Sequence, residues 1–161
     1  MPNVSTTVRR AFAFGLREGY AYITDPRCWP QYWPNLTHVA PGSRWTQPGD
    51  VARLTMKLLG RPTELEMTLS RIEPYRLVEY TSVQRGLPDA RHERHFAEDR
   101  TGFRYTIVVE FEPRGGVRRP LDRFVVARAI ERAATQTLDN LERRFAELSA
   151  RENEGERHDH H

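Results

Sequence analysis

The sequence is poor in cysteine and lysine, and its basic residues do not cluster. Cys28 is the only cysteine among 161 residues, so an internal disulfide is excluded. Lys57 is the only lysine among the 25 basic residues, and the arginines interleave with Asp and Glu to leave a net charge of only +3. Because no basic stripe is present, we expect no nucleic-acid partner.

Long apolar runs and the common cofactor motifs are also missing. No apolar stretch approaches the roughly 20 residues that cross a bilayer, and no basic segment followed by an apolar run indicates a secretory signal. We find no phosphate-binding loop, dinucleotide fingerprint, Ser-His-Asp or Cys-His arrangement. We therefore expect a cytoplasmic protein that uses no cofactor.

The residues that most often bind metals do not form a site by spacing. His92 and His95 are three apart on a predicted strand and so point to opposite faces. The histidines of the polar C-terminal end bind metal adventitiously or are a cloning remnant, and we assign them no function. Cys28 has no obvious base beside it, which favours a packing residue over a nucleophile. We predict no metal site.

Hydrophobic periodicity predicts strands and one short helix in residues 4–113. Alternation indicates a strand over residues 4–14, and the spacing of Leu16, Tyr20 and Ile23 predicts a helix that Asp25-Pro26 ends. Short extended pieces are predicted at residues 37–40 and 43–46. From residue 50 to 113, apolar residues alternate between short turns, which predicts an antiparallel meander with one apolar face.

A helical period replaces the strand period after Gly115-Gly116. Pro120 suits a first helical position, and the apolar residues then recur at spacings of 3, 4 or their sum to about residue 150. This stripe comprises Phe124, Ala127, Ala134, Leu138, Leu141, Phe145 and Leu148. Small residues on the helix, including Thr135, would leave space against a concave sheet. The sheet offers four side chains to line such a pocket: Met56, Met67, Tyr80 and Tyr105.

Three stretches carry a family resemblance. They are Tyr22–Pro26 followed by Trp29 and Trp33-Pro34, the turn Ile72–Val78, and the turn Arg100–Tyr105, in which Thr and Gly stand in the opposite order to the family pattern. With the order of elements, residues 4 to 148 resemble the START-like, or Bet v 1-like (SRPBCC), helix-grip superfamily. Within it, the chain is most similar to bacterial polyketide cyclase/dehydrase and lipid-transport proteins.

The resemblance implies an α+β helix-grip fold. Its curved antiparallel sheet of six to seven strands would wrap around the long C-terminal helix, with short helices after the first strand. Together with the polar composition of the C-terminal end, it predicts one domain at residues 1–150 and a disordered polar tail at 151–161. The predicted ligand-binding residues of the internal cavity are Trp29, Trp33, Met56, Leu58, Met67, Leu69, Tyr80, Tyr105, Ile107, Phe124, Arg128 and Glu131.

Several of these residues have two interpretations. Trp29 and Trp33 either close the edge of the cavity or serve as core anchors, and the second is the commoner role for buried aromatics. Arg128 and Glu131 either form a polar patch in the cavity or a surface pair, which the sequence favours.

The candidate catalytic residues lie on three predicted strands and are His92, Arg94, Tyr80 and Tyr105. Strand alternation sends His92 and Arg94 to the same face as Phe96, which is expected to point inward. There Arg94 would bind a carboxylate or enolate oxygen, and His92 would move a proton. The sequence favours the alternative that this strand lies near the sheet edge with solvated charges, since charged residues are seldom buried without partners.

Three functions follow from these patterns. The first is binding or carriage of a hydrophobic small molecule, such as a lipid, a quinone or a polyketide. The second is an aromatase/cyclase-type enzyme that acts on a polyketide-like substrate. The third is a protein-interaction or stress-linked module, and the sequence leaves a homodimer open. Convergence of at least two ionisable side chains inside the cavity would favour the enzyme.

Overall fold

A computed structural model describes residues 3–58, 60–111 and 120–159. Its elements confirm the predicted order of strand, short helix, meander and long helix. The elements are β1 (Val4–Phe12), α1 (Leu16–Thr24), a 3-10 helix (Trp29–Gln31), β2 (Leu36–Val39), β3 (Val51–Leu58), β4 (Arg61–Glu73), β5 (Leu77–Gln84), β6 (Ala90–Glu98), β7 (Phe103–Phe111) and α2 (Pro120–His158). The predicted break at Gly115-Gly116 lies outside the described residues.

The seven strands form one antiparallel sheet in the order β1-β7-β6-β5-β4-β3-β2. Strands β3 to β7 are joined as a meander, and β1 pairs with β7 over its whole length. The curved sheet and the long C-terminal helix are those of the helix-grip fold, as the sequence predicts. Two predicted pieces differ. β1 ends at Phe12, and residues 43–46 form no strand because they belong to the connection between β2 and β3.

The apolar residues that alternate along the strands lie on the face of the sheet that packs against the helix. On β7, Phe103, Tyr105 and Ile107 are buried, whereas Arg104 on the opposite face is exposed. The strand register shows which residues of β6 and β5 lie on the same face as Ile107. Ile107 pairs with Arg94, Arg94 pairs with Val78, and His92 pairs with Tyr80. Directly paired residues share a face, so His92 and Arg94 lie on the inner face, as strand alternation predicts.

One expectation about β6 is wrong. The sequence favours a strand near the sheet edge, but β6 lies between β5 and β7 in the interior of the sheet. The edge position was inferred from charge alone, which does not specify strand order. Outward charges of β6, such as Arg91 and His95, remain exposed and account for much of its polarity.

Helix α2 buries the second half of the predicted stripe. Leu138, Leu141 and Phe145 are buried, and Phe145 packs edge-on against Phe12 at 5.2 Å between ring centroids. Phe124 is 62% exposed and Thr135 is also exposed, which corrects their predicted inward positions. At about 3.6 residues per turn, a stripe defined only by spacings of 3, 4 and 7 drifts around a long helix.

The helix also continues past the predicted boundary. Residues 151–158 extend α2 and are all exposed, where the sequence predicts the start of a disordered tail. Arg and Glu are strong helix formers, so a polar composition does not by itself end a helix.

Candidate functional site

A small cavity lies between the inner face of the sheet and the segment that begins at the end of α1. Its volume is about 20 Å³, room for about one water molecule. Among the described residues, twelve line the cavity; seven of them are aromatic, and Arg94 is the only charged one. The lining residues are Ile23, Thr24, Trp29, Tyr32, Trp33, Trp45, Met67, Val78, Tyr80, Arg94, Phe96 and Tyr105.

The aromatic-proline segment is folded back onto the end of α1. The Trp29 indole N–H and the Tyr32 hydroxyl both donate to the carbonyl of Ile23, at 2.9 and 2.7 Å. Asn140 of α2 donates its side-chain amide to the carbonyl of Tyr32 at 2.8 Å. These bonds satisfy a helix-end carbonyl and fix the cavity wall to α1 and α2.

All three tryptophans of the chain line this cavity. Trp29 is 1% exposed and stacks on Trp33 with ring centroids 4.9 Å apart. Trp45, from the connection between β2 and β3, meets Trp29 edge-on at 5.4 Å and Tyr80 at 5.2 Å. Trp29 is thus both a core anchor and part of the cavity wall, so its two interpretations do not exclude each other.

Arg94 brings a positive charge into this aromatic environment. Its Nη2 donates to the Tyr80 hydroxyl at 2.8 Å, and its guanidinium carbon lies 5.5 Å from the Tyr80 ring centre. Its Nη1 is buried and has no hydrogen-bond partner among the described residues. Burial lowers the pKa of Arg94, but Tyr80, Tyr105 and Tyr32 outweigh it and the net pKa is raised. The site therefore holds a permanent cation with a free N–H.

The three tyrosines around Arg94 keep their protons. Burial raises the pKa of Tyr80 and of Tyr105, while the charge of Arg94 opposes the rise in both. Burial likewise raises the pKa of Tyr32 well above its usual value. At neutral pH these hydroxyls can each donate a hydrogen bond, and the Tyr80 hydroxyl also accepts one from Arg94.

His92 lies behind Tyr80 and does not line the cavity. The two rings stack with centroids 4.4 Å apart and an interplanar angle of 6°. His92 Nε2 lies 2.9 Å from the hydroxyl of Ser82, which is buried, and His92 Nδ1 is buried without a described partner. Burial, followed by the charge of Arg94, holds the pKa of His92 well below its usual value, so the ring is neutral.

The Ser82–His92 contact is one that the sequence analysis missed. The two residues lie on neighbouring strands, and only the pairing of β5 with β6 brings them together. No carboxylate completes a triad in the described part of the chain, because His92 Nδ1 has no partner there. The pair therefore supports the Tyr80 ring from behind and lacks a described carboxylate to orient the imidazole as a base for Ser82.

The structure brings together some of the residues predicted from sequence. Three catalytic candidates line the cavity: Arg94, Tyr80 and Tyr105. Five predicted ligand-binding residues also do so: Trp29, Trp33, Met67, Tyr80 and Tyr105. Whether they bind a ligand stays a prediction. Tyr32 and Trp45 were missed because neither lies in a periodic stretch that would assign it a face.

The other predicted ligand-binding residues lie elsewhere. Leu69 and Ile107 are buried in the core beside the cavity, and Met56 and Leu58 are half-buried on β3. Three residues of α2 are exposed: Phe124, Arg128 and Glu131. Arg128 packs over the Phe124 ring at 5.6 Å, and with Glu131 it borders a surface groove of about 360 Å³. The surface interpretation of Arg128 and Glu131 fits these positions.

Two further features of the described residues bear on function. They contain no group of three His, Cys, Asp or Glu side chains placed to hold a metal ion, and no helix among them is long and apolar enough to cross a membrane. Burial raises the pKa of the half-buried Cys28 thiol, which makes its thiolate scarce at neutral pH.

Solved structures show the same fold at low sequence identity. The di-domain ARO/CYC StfQ from the steffimycin biosynthetic pathway superimposes with a TM-score of 0.76 at 16% identity, over 92% of this chain and 52% of that chain. A START superfamily protein from Mycobacterium smegmatis gives 0.72 at 14% identity, over 91% and 98%. Ara h 8.0201 gives 0.72 at 12% identity, over 91% and 99%. No curated protein sequence matches the chain.

The curved antiparallel sheet and the long C-terminal helix give this chain the helix-grip fold of START-like, or Bet v 1-like, proteins. The model of one family, polyketide cyclase/dehydrase and lipid transport, matches residues 4–146. The chain belongs to that family.

Proposed function

We propose that this domain binds a hydrophobic aromatic small molecule that carries an oxygen, such as a quinone or a polyketide-like compound. The carrying observation is Arg94, whose buried Nη1 has no partner among the described residues, in a cavity lined mainly by aromatic rings. A buried donor without a partner costs about 1–3 kcal/mol, and more for a charged group. A carbonyl, enolate or phenolate oxygen on Nη1 would remove that cost.

The walls of the cavity favour a flat ring over a flexible acyl chain. Trp29, Trp33 and Trp45 present rigid faces and edges, and aromatic pairs gain about 0.5–1.5 kcal/mol beyond their buried area. Tyr80 and Tyr105 keep their protons and so add donors for the same oxygen. Together these features would orient an oxygenated ring with its polar edge on Arg94.

Binding of a quinone or a naphthol to the Arg94→Met protein tests this function. We expect at least tenfold weaker binding, because the substitution removes the charged hydrogen bond from Arg94 Nη1 to the ligand oxygen and keeps an aliphatic side chain. Arg91→Met is the matched control, since Arg91 lies on the same strand but faces outward and is exposed. Equal affinities of the Arg94→Met and wild-type proteins for oxygenated rings would contradict the proposal.

A second candidate function is a cyclase, and the convergence of Arg94 and Tyr80 supports it. In an aldol step, an enolate carbon of the bound chain would form a bond to a carbonyl carbon, whose π electrons would move to its oxygen. Arg94 would stabilise that oxyanion and a tyrosine hydroxyl would donate a hydrogen bond to it. With a poly-β-ketone mimic, this function predicts turnover that Arg94→Met abolishes and Arg91→Met retains. Binding without turnover favours the carrier.

A further inference from the structure

The cavity is too small for the ligands that its chemistry suits. Its volume of about 20 Å³ compares with about 300–1,000 Å³ for typical ligand pockets. A flat aromatic molecule therefore fits only after a side chain leaves the space it occupies. The question is which lining side chain is least fixed.

Most of the wall is fixed by bonds to the rest of the fold. Trp29 and Tyr32 each donate a hydrogen bond to Ile23, and Tyr80 is bound by Arg94 and stacked on His92. Trp33 stacks on Trp29, and its backbone N–H donates to the Trp29 carbonyl at 2.9 Å. Phe96 and Tyr105 come from paired strands in the interior of the sheet. Displacing the Trp29, Tyr32 or Tyr80 side chain would break hydrogen bonds, and displacing Phe96 or Tyr105 would break the packing of these two rings on each other.

Trp45 is held differently. It lies in residues 40–50, which connect β2 and β3, and its indole is held by ring packing against Trp29 and Tyr80. The backbone on both sides is hydrogen-bonded, since the Arg44 N–H donates to the Val51 carbonyl and the Thr46 N–H donates to the Asp50 carboxylate. Gly42 and Gly49 flank Trp45 at φ values of 85° and 95°, which L side chains rarely adopt, and no neighbouring atom lies within 4 Å of an added Cβ at either. Two glycines with positive φ thus bracket Trp45, whose indole packs directly on Tyr80.

The space under Trp45 adjoins the free cation. Its indole contacts Tyr80, and the Tyr80 hydroxyl accepts the hydrogen bond from Arg94 Nη2 at 2.8 Å. If the indole leaves, a planar slot of its own size opens between Trp29 and Tyr80. A ring that takes this slot would carry its oxygen toward Arg94.

We propose that Trp45 occupies the ring subsite of the empty domain and that the ligand displaces it. The ligand class is then a planar bicyclic or larger aromatic system with an acceptor oxygen at its edge. This inference rests on the proposed function for the oxygen contact, but displacement of Trp45 is a separate claim with its own measurement.

The displacement is measured by 19F NMR of protein labelled with 5-fluorotryptophan. The chain has three tryptophans, so three resonances are expected, and a Trp45→Phe protein assigns the one of interest. Titration with 2-naphthol should move the Trp45 resonance toward its position in unfolded protein and perturb Trp29 less. Saturable binding that leaves the Trp45 resonance in its buried environment overturns the inference.

Affinities separate this inference from the proposed function. Trp45→Ala should bind both naphthalene and 2-naphthol at least tenfold more tightly than the wild type, since no side chain must be expelled. In the Trp45→Ala protein, adding Arg94→Met should remove the advantage of 2-naphthol over naphthalene. If Trp45→Ala binds both probes more tightly than the wild type but shows no preference for 2-naphthol, the oxygen contact is rejected and the ring subsite is retained. No gain, or no binding, in a folded Trp45→Ala protein rejects the subsite.

A pair of glycine variants tests the same claim with the cavity lining intact. Gly42→Ala strains the connection that holds Trp45 in place and should tighten 2-naphthol binding several-fold by favouring the displaced state. Gly60→Ala introduces the same strain at φ 79° in the turn before β4, far along the chain from Trp45, and should leave affinity unchanged. Equal effects of the two substitutions contradict a role for the connection.

Discussion

At the scale of single residues, the site consists of an arginine without a carboxylate. A buried charge is costly unless it is paired or hydrogen-bonded. Here tyrosine hydroxyls supply part of that environment, and one N–H of Arg94 remains without a described partner. Strand alternation predicted correctly that Arg94 and His92 share the face of Phe96. It did not predict that Arg94 Nη1 and His92 Nδ1 are buried, because burial depends on which strands lie on either side.

The neutral His92 predicts acid sensitivity. An unfolded histidine takes up a proton near pH 6.5, whereas the folded pKa is well below that value. Between the two pKa values the unfolded state binds more protons, so the free energy of unfolding falls as pH falls. The slope contributed by His92 should approach about 1.4 kcal/mol per pH unit below pH 6.5. Urea unfolding at a series of pH values from 7.5 to 4.5 measures it.

The control for this prediction removes the histidine without leaving a hydroxyl unpaired. A Ser82→Ala/His92→Phe protein keeps a ring against Tyr80 and should lose that part of the pH dependence. His95→Phe, on the outer face of the same strand, should retain it. The assignment fails if the double variant keeps the wild-type slope.

At the scale of elements, α1 packs closely against β7 because Gly19 has no side chain. Gly19 lies against the Phe103 ring, and an added Cβ would come within 2.4 Å of it. The sequence predicted α1 from the spacing of Leu16, Tyr20 and Ile23, which defines the apolar face of the helix. The sequence did not show that α1 packs on the Phe103 ring at Gly19, because that contact depends on where β7 lies.

Gly19→Ala should therefore destabilise the protein although alanine is the better helix former. We expect the free energy of unfolding to fall by about 1–3 kcal/mol, the usual cost of overpacking a core. Chemical denaturation measures it. Gly155→Ala is the matched helical control, since no neighbouring atom lies within 4 Å of its added Cβ. That variant should lose nothing and gain up to about 1 kcal/mol. Equal stability of the Gly19→Ala and wild-type proteins would show that α1 shifts freely on the sheet.

At the scale of the whole molecule, α2 serves two different purposes along its length. Residues 134–145 provide the buried stripe that closes the core, and Asn140 fixes the cavity wall through the Tyr32 carbonyl. The last eight helical residues, 151–158, are exposed throughout. The helix is thus longer than the sheet requires.

Truncation separates these two parts. Removal of residues 151–161 should leave the melting temperature within about 2 °C of the full chain, because no buried apolar area is lost. Removal of residues 141–161 deletes Leu141 and Phe145, which are 0% and 3% exposed, and should prevent folding. Thermal unfolding followed by circular dichroism measures both. A large loss of stability from the shorter truncation would show that the helical extension has a structural partner.

The sequence by itself determined the order of the main strands and helices, the meander and the inward face of β6, while the helix-grip class followed from the family resemblance. Element order and strand faces follow from local periodicity and turn residues, which act over a few positions. Tertiary structure alone decided the cavity: β6 in the sheet interior, Ser82 beside His92, Tyr80 beside Arg94, and Trp45 on the ring of Trp29. The physical reason is that these contacts join residues from separate strands and connections, and periodicity assigns a residue to a face without specifying its neighbour across the sheet.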